Sequence, residues 1–214
     1  MRKFFMIWIP VLLFCINTSG QGLPKVVAGP MNGYAEHSEC LVWIQTEACE
    51  KVKIEYRKKG NKDWLSEEQY LLDSKKPSIT KFILTGLEFG STYEYKIVLN
   101  GNTEFKPNYP LEFKTKKMWE WRTPPPDFTF LLGSCLYVND SAYDRPGKPY
   151  GQGTEIIKSM SATPADFMLW LGDNTYMREA DYSSASGIKN RYLHTRKDPN
   201  LQEFLAKTHH YALH

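Results

Sequence analysis

The sequence predicts a two-domain α+β protein, in which an N-terminal β-sandwich precedes the beginning of an α/β domain. Short alternating strand patterns separated by turns extend from Lys25 to about Lys117. From Phe128 onward, a strand, a helix and a second strand follow one another with short connections. Three consecutive prolines at positions 124–126 separate the two patterns and predict an extended, stiff linker. We therefore place the sandwich at residues 21–117, the linker at 118–127 and the α/β part at 128–214.

Residues 1–20 are typical of a secretory signal peptide. Arg2 and Lys3 form a basic start, an apolar stretch covers residues 4–16, and small or polar residues lead to Gly20. We expect cleavage after Gly20 and export to the periplasm or the extracellular space. The apolar stretch is too short to span a bilayer comfortably, so we expect no transmembrane segment after cleavage.

The mature chain is close to electrically neutral. Removal of Arg2 and Lys3 leaves 25 basic and 24 acidic residues. That balance offers no basic stripe for a phosphate backbone, so we expect no specific recognition of nucleic acid. We expect a monomer.

Three cysteines remain in the mature chain, namely Cys40, Cys49 and Cys135. An exported protein can form a disulfide, but an odd count leaves at least one thiol unpaired. Cys40 and Cys49 flank a predicted hairpin turn at unequal distances from its tip. Their pairing stays open and is not favoured.

The sandwich strands are predicted from alternation and turn residues. Residues 39–46 and 51–57 lie on either side of a short connection, and the second segment alternates strictly between apolar and charged side chains. Residues 81–85 form another short strand, and residues 93–99 alternate up to the Asn100–Gly101 turn. Residues 111–115 complete the set. Several short strands at this spacing favour a β-sandwich.

The stretch from Leu87 to Tyr95 resembles the L-x-P-G-T-x-Y-x-Y segment of fibronectin type III-like domains. Tyr93 matches the corner tyrosine of that segment, and Phe89 stands where the family often has proline. The resemblance implies a fibronectin III-like sandwich. We favour a packing module over a domain that binds substrate or partner, because a fold alone does not fix a function.

The α/β part begins with an apolar strand, Phe128–Leu132. Thr154 is the predicted N-cap of a helix that ends near Ser161, and Phe167–Leu171 is a strand expected to be buried on both faces. A strand–helix–strand unit is right-handed and parallel. Residues that follow the two strands, Cys135 and Asp173, are therefore predicted at the same edge of the sheet.

Two further helices and a third strand are predicted after that unit. Residues 186–196 form one helix with Ile188 and Tyr192 facing inward, and Pro199 starts a second helix that covers 200–208. Residues 209–214 match the entry to a third strand. A two-strand layer that stops there predicts a domain that is incomplete.

A metal site is predicted at the shared sheet edge. Asp173 and Tyr176 are three residues apart on a turn that directly follows a strand, and Cys135 follows the neighbouring strand. A carboxylate, a phenolate and a thiolate are all anionic when bound, which suits a strongly Lewis-acidic ion such as Fe(3+). The alternatives are a small buried cysteine, a rim tyrosine and a simple Asp-Asn turn.

These residues carry a family resemblance. Gly-Ser-Cys at 133–135 and Gly-Asp-x-x-Tyr at 172–176, preceded by a fibronectin-like domain and a signal peptide, resemble the PhoD-type alkaline phosphatases of the calcineurin-like metallophosphoesterase superfamily. The resemblance implies hydrolysis of phosphate monoesters or diesters. It implies that Cys135, Asp173 and Tyr176 bind Fe(3+), and that Asp173, as the catalytic carboxylate, also bridges to Ca(2+).

The resemblance also has a gap. In the family, a W-D-D-H segment after the third strand supplies further metal ligands, and here the chain ends at His214. We therefore expect a chain truncated within the catalytic domain, with little or no activity by itself. Arg191 is a weaker candidate for binding the substrate phosphate. Arg145, with Tyr137 and Asp144, lies in the loop after Cys135 that should face the site, and these are weaker candidates for substrate contact.

Two other function classes stay open. In one, the fibronectin-like domain is a non-catalytic secreted binding module and the α/β part is a degenerate appendage. Its fold would survive deletion of everything after Lys117. In the other, Cys135 is a catalytic nucleophile, which requires a nearby base. The sequence places no histidine at the end of a neighbouring strand.

Overall fold

The computed structural model of the chain describes residues 22–73, 76–120, 123–144, 146–151 and 153–213. The predicted signal peptide lies outside these ranges. Within them, no helix combines the length and the apolar character that a membrane crossing requires.

In the described part of the N-terminal half there are eight strands, and all their pairings are antiparallel. They are β1 (Lys25–Ala35), β2 (Glu39–Glu47), β3 (Lys51–Lys58), β4 (Leu65–Tyr70), β5 (Ser78–Thr85), β6 (Thr92–Leu99), β7 (Thr103–Phe105) and β8 (Glu112–Lys114). One sheet has the order β1-β2-β5, and the other has the order β4-β3-β6-β7 with β8 paired to β6. Alternate residues of each strand face a shared apolar core, as in β3, where Val52, Ile54 and Tyr56 are buried. The predicted sandwich is confirmed.

The connection between β2 and β3 is a crossing between the sheets, and the hairpin prediction is wrong. β2 pairs with β1 and β5, whereas β3 pairs with β4 and β6. The Asn100 side-chain oxygen accepts hydrogen bonds from the backbone N–H groups of Glu50 and Lys51, at 2.9 and 3.1 Å. These bonds attach the connection to the sheet that contains β6. Cys40 and Cys49 are both buried, free thiols.

Tyr93 makes the corner contact that the fibronectin-like segment predicts. Its hydroxyl oxygen accepts a hydrogen bond from the Glu88 N–H at 2.9 Å, five residues upstream. Its ring stacks on Phe113 with centroids 5.2 Å apart. The corner therefore ties the turn before β6 to the sandwich core.

The C-terminal half forms a three-stranded parallel sheet with three helices. Its elements are β9 (Phe130–Gly133), α1 (Ile156–Ala162), β10 (Phe167–Trp170), α2 (Ala185–Arg196), α3 (Pro199–Lys207) and β11 (His209–Ala212). The strand order is β11-β10-β9, and both pairings are parallel. The predicted strand–helix–strand unit and the third strand are therefore confirmed.

Two details of the helices differ from prediction. Helix α1 begins at Ile156, because the Thr154 hydroxyl binds the Asp198 carboxylate, at 3.0 Å, instead of capping the helix. In α2, the buried residues are Arg191 and Thr195, whereas Ile188 is 41% exposed. The charged side chain faces inward because buried carboxylates are there to pair with it.

The parallel sheet is buried on one face, and the prediction that β10 is buried on both faces is wrong. Met168 and Trp170 pack against α1 and α3. On the other face, Phe130 and Leu132 are 47% and 55% exposed, and Phe130 stacks on Phe167. Parallel sheets are normally covered on both faces. Among the described residues, helices α1 and α3 cover one face of the sheet.

The two halves are joined by polar contacts inside the molecule. Asn32 of β1 donates from its amide to the carbonyl oxygen of Ala206, at 2.6 Å. His209 of β11 lies between the Gly33 carbonyl oxygen, 2.8 Å away, and the Lys114 N–H, 3.3 Å away. Strand β1 thus pairs within the sandwich and also makes hydrogen bonds to the α/β layer.

Candidate metal centre

The two turns that follow β9 and β10 have strained backbones. Cys135 and Asp173 both adopt the left-handed region, with φ of 60° and 52°. A non-glycine residue there costs about 1–3 kcal/mol, and such positions cluster at functional sites. Gly172, with φ of 96°, prepares the second turn. Gly133 packs closely on Met168, because a Cβ at this position would lie 2.9 Å from Met168 Cε and the methionine end would have to shift.

Backbone hydrogen bonds hold the two turns side by side. The Leu136 N–H donates to the Asp173 carbonyl oxygen at 2.9 Å, and the Cys135 N–H donates to that of Gly172 at 3.4 Å. The register that pairs Gly133 with Trp170 therefore continues past the strand ends. This continued register brings together Cys135 and Asp173, which are 38 positions apart in the sequence.

Three acidic side chains meet at this edge. The Tyr176 hydroxyl donates to Asp173 Oδ2 at 3.0 Å. Hydrogen bonding with Cys135, and then with Asp173, holds the pKa of Tyr176 well above its usual range. A proton therefore stays on the phenol while the carboxylate and the thiol are close to it. A cation placed among these groups would favour their deprotonated, anionic forms.

The donor set fits a metal ion by its chemistry. A thiol, a carboxylate and a phenol become three anionic ligands when deprotonated, and strongly Lewis-acidic ions favour such ligands. Cys135 is exposed, so the set is open to solvent. Across the described ranges, no group of three or more His, Cys, Asp or Glu residues could hold a metal ion. The candidate centre therefore depends on the phenol as its third donor.

Arg191 does not have the position that a substrate-binding role needs. Its side chain is 3% exposed, and it pairs with Asp181 at 2.8 Å and with Asp140 at 3.2 Å. Asp140 belongs to the loop after β9 and Asp181 to the loop after β10. The predicted phosphate contact is therefore corrected to a bridge between the two loops. Arg145, the other predicted substrate contact, lies outside the described residues.

The histidines near the site have structural partners. His194 Nε2 lies 2.8 Å from the Asn139 carbonyl oxygen. His209 is buried between β1 and β8. His210 accepts a hydrogen bond at Nδ1 from the Trp170 indole N–H, at 3.1 Å. None of these three rings contacts the candidate centre.

Sequence reasoning missed Arg178, which lies close to the site. Its guanidinium lies over the Tyr150 ring, 4.9 Å from the centroid. It also donates to the Tyr143 carbonyl oxygen at 3.3 Å. Its Nε is buried, with no hydrogen-bond partner within the described part of the chain. The position, two residues after Tyr176, is the feature of the sequence that could have indicated it.

Tyr137 packs directly against the candidate ligand Tyr176, with ring centroids 5.6 Å apart. Its hydroxyl donates to Asp144 Oδ1, and Asp144 Oδ2 accepts the Asp140 N–H at 3.0 Å. Burial, and then the bond to Asp144, raise the pKa of Tyr137 to about 12. Tyr137 thus keeps its proton and stays fixed against the site.

Comparison with known proteins agrees with this architecture. Residues 23–118 match a family described as a domain of unknown function (DUF7800), and no curated protein matches the chain. A structure of PhoD is similar over 86% of this chain and 38% of its own, with 17% identity and a TM-score of 0.64. The fold is that of a PhoD-like N-terminal region. The chain thus spans less than half of that PhoD chain.

Other solved structures resemble parts of the chain. The sensor domain of the anti-sigma factor RsgI4 of Pseudobacteroides cellulosolvens matches 49% of the chain and 100% of its own, at 14% identity and a TM-score of 0.39. The fn3 domain of human contactin 1 matches 49% of the chain and 89% of its own, at 16% identity and a TM-score of 0.33.

Proposed function

We propose that the protein is an exported, metal-dependent phosphoric-ester hydrolase of the PhoD type, an alkaline phosphatase. The observation that carries the proposal is the meeting of Cys135, Asp173 and Tyr176 at the carboxyl edge of a parallel sheet. In open α/β sheets, ligands bind at that edge. The strained backbones of Cys135 and Asp173 support the same conclusion.

We further propose Fe(3+) as the ion that these three residues hold, with Ca(2+) as its neighbour on Asp173. Cys135 and Tyr176 would hold the iron as thiolate and phenolate, and Asp173 would supply a carboxylate to both ions. When bound, the metals act as Lewis acids that polarise the phosphoryl oxygens and stabilise charge in the transition state.

Contacts within the chain position the three candidate ligands. The backbone bonds from Leu136 and Cys135 to the turn after β10 fix the separation of the thiol and the carboxylate. Tyr176, whose hydroxyl donates to Asp173 Oδ2, would bind a metal as the phenolate, and its proton would leave to the solvent that reaches this open edge, so that Asp173 stays a carboxylate. The Tyr137 ring packs against the Tyr176 ring and limits its movement.

The apolar face of the sheet opposite α1 and α3 bears on how the site would be completed, because Phe130 and Leu132 are exposed there. Parallel sheets are normally covered on both faces. We propose that in an active enzyme a second layer covers this face and supplies the remaining metal ligands.

Iron binding tests the proposed centre directly. We expect the purified chain to bind one Fe(3+) and to show the visible charge-transfer absorption of an iron–tyrosinate pair. Tyr176→Phe should abolish the absorption, and Asp173→Asn should abolish binding. Tyr182→Phe is the matched control, because Tyr182 is 67% exposed and donates only to the Met177 carbonyl oxygen. Iron binding and absorption that survive both site substitutions would refute the proposed centre.

Turnover tests the hydrolase proposal. With p-nitrophenyl phosphate, iron and calcium, we expect little or no activity from the chain alone. Rapid turnover that is lost in Asp173→Asn would support the hydrolase and refute the need for additional polypeptide. Rapid turnover that persists in Asp173→Asn would refute the role of this centre.

A further inference from the structure

Two tyrosines extend the candidate centre along the loop after β9. The Tyr137 ring lies 5.6 Å from the ring of Tyr176 and 5.9 Å from the ring of Tyr150, as measured between centroids. The ring planes are inclined, by 58° between Tyr137 and Tyr176 and by 66° between Tyr137 and Tyr150. Tyr137 and Tyr150, called here the tyrosine platform, thus form a row of inclined aromatic rings that starts at a metal-ligand candidate. Large aromatic side chains next to a polar site are typical of ligand-binding surfaces.

The platform is exposed at Tyr150 and half-buried at Tyr137, and both rings are fixed. Tyr150 is 47% exposed, although the guanidinium of Arg178 lies over its ring at 4.9 Å. Tyr137 is held by the hydrogen bond of its hydroxyl to Asp144. Surfaces that are already rigid lose little conformational entropy when a ligand binds. Rigid tyrosines therefore suit the recognition of a flat partner.

Charges of both signs lie around the platform, with the Asp144 carboxylate at the Tyr137 hydroxyl and a cation at Tyr150. Arg178 places a permanent positive charge beside Tyr150, and its Nε has no hydrogen-bond partner among the residues that the structure describes. The candidate metal centre lies at the other end of the platform. A molecule with a phosphate group joined to a planar ring would thus meet a cationic centre for its phosphate and an aromatic surface for its ring.

We infer that the tyrosine platform binds the aromatic part of the substrate, so that the preferred substrates are phosphate esters of planar aromatic groups. The inference rests on the proposed function, because the phosphate end needs the metal centre. Stacking on aromatic side chains is available to any planar ring, including an aryl group or a nucleobase. The platform therefore selects a class of esters rather than one compound.

Binding of two phosphonates to the Fe(3+)-loaded chain tests this inference without turnover. Phenylphosphonate and methylphosphonate carry the same anionic group and differ in the ring. We expect calorimetry to give a dissociation constant about tenfold lower for phenylphosphonate. Tyr150→Ala should bring the two constants to within about twofold of each other, and Tyr150→Phe should restore the difference.

Tyr70→Ala is the matched control. Tyr70 is also an exposed tyrosine, 72% accessible, with a cation, Lys51 Nζ, 5.5 Å from its ring centroid. It lies on β4 of the sandwich. We expect this variant to keep the full preference for phenylphosphonate. A preference lost equally in Tyr70→Ala and Tyr150→Ala would refute the platform.

The remaining outcomes separate this inference from the proposed function. Equal affinities for both phosphonates, each lost in Asp173→Asn, would refute the platform and support the phosphate-binding centre. Failure of both phosphonates to bind, or binding that survives in Asp173→Asn, would refute the centre and the platform together.

Discussion

The side-chain amide of Asn32 donates a hydrogen bond to the carbonyl oxygen of Ala206, at 2.6 Å, across 174 positions of the sequence. The same nitrogen donates to the Glu112 carbonyl oxygen at 2.7 Å, and Asn32 is fully buried. One side chain in β1 therefore binds the end of α3 and the start of β8. The sandwich and the α/β layer share a polar contact in their interior.

Asn32→Ala should destabilise the protein by about 2 kcal/mol or more, because two buried carbonyl oxygens lose their donor. Urea denaturation would measure the change. Asn61→Ala is the control, since Asn61 is exposed in the turn after β3, and such surface changes cost about 0.5 kcal/mol or less. Equal stability of the two variants would show that the Asn32 contact contributes nothing.

The sandwich alone, residues 22–117, should unfold at a lower urea concentration than the whole chain. Ala206 belongs to the same buried cluster as the sandwich core, and His209 satisfies the Gly33 carbonyl oxygen. Deletion after Lys117 removes both. An isolated sandwich as stable as the whole chain would instead favour the alternative of an independent binding module.

Arg191→Met should destabilise the protein by about 3–5 kcal/mol, because Asp181 and Asp140 lose the cation that pairs with them. Burial alone would raise the pKa of Asp181, but the Arg178 N–H and the Arg191 guanidinium outweigh it and hold that pKa below its usual range. Thermal unfolding would measure the loss. Lys189→Met is the control, because Lys189 is an exposed cation of the same helix, and it should leave the unfolding midpoint almost unchanged. A large shift of the midpoint in this control would mean that the total charge of the helix, and not the Arg191 ion pairs, sets the stability.

Stability should fall as the pH drops from about 6.5 to about 4, in part because of His210. Burial lowers the pKa of His210 to about 4, whereas an unfolded histidine titrates near 6.5. The folded protein therefore binds fewer protons in that interval, so acid favours unfolding and the stability is complete above pH 6.5. The contribution of His210 over this interval is about 3 kcal/mol.

The variant His210→Gln isolates this effect. Urea denaturation at pH 7.5 and at pH 4.5 should show a smaller difference for the variant than for the parent chain. His209 acts in the same direction, because burial also lowers its pKa, so part of the pH dependence should remain. An unchanged difference would exclude His210 as a contributor.

Iodoacetamide should modify Cys135 selectively in the native protein. Cys135 is exposed, whereas Cys40 and Cys49 are buried, and burial raises the pKa of Cys40 to about 12. Peptide mapping by mass spectrometry would identify the modified thiol. We expect bound Fe(3+) to slow the reaction and alkylation to prevent iron binding. Alkylation that leaves the iron content unchanged would instead favour the alternative in which Cys135 is a nucleophile.

Local patterns predicted most of the strands and helices. Alternation identified β3 and β6, the apolar runs identified β9 and β10, and Pro199 marked the start of α3. The errors arose where a distant partner overrode a local preference. Thr154 bonds to Asp198 instead of capping α1, and Asn100 attaches the β2–β3 connection to the second sheet.

The candidate site could be predicted in part for the same reason. Parallel pairing of two adjacent strands follows from a short strand–helix–strand pattern, so the meeting of Cys135 and Asp173 was accessible from the sequence. The burial of Arg191 was not, because its partners Asp181 and Asp140 lie in loops whose paths no local pattern fixes. The same holds for Arg178, whereas Tyr137 could be placed in the loop that faces the site.

By itself, the sequence determined which residue types stand at the strand ends, and hence the donor chemistry of Cys135, Asp173 and Tyr176, because strand and turn patterns are local. Only the tertiary structure decided how these donors approach one another, through the hydrogen bond from Tyr176 to Asp173 and the backbone bonds between the two turns. It also decided that β1 joins both halves of the molecule. Contacts of this kind depend on the register and packing of segments far apart in the chain, which the local pattern does not encode.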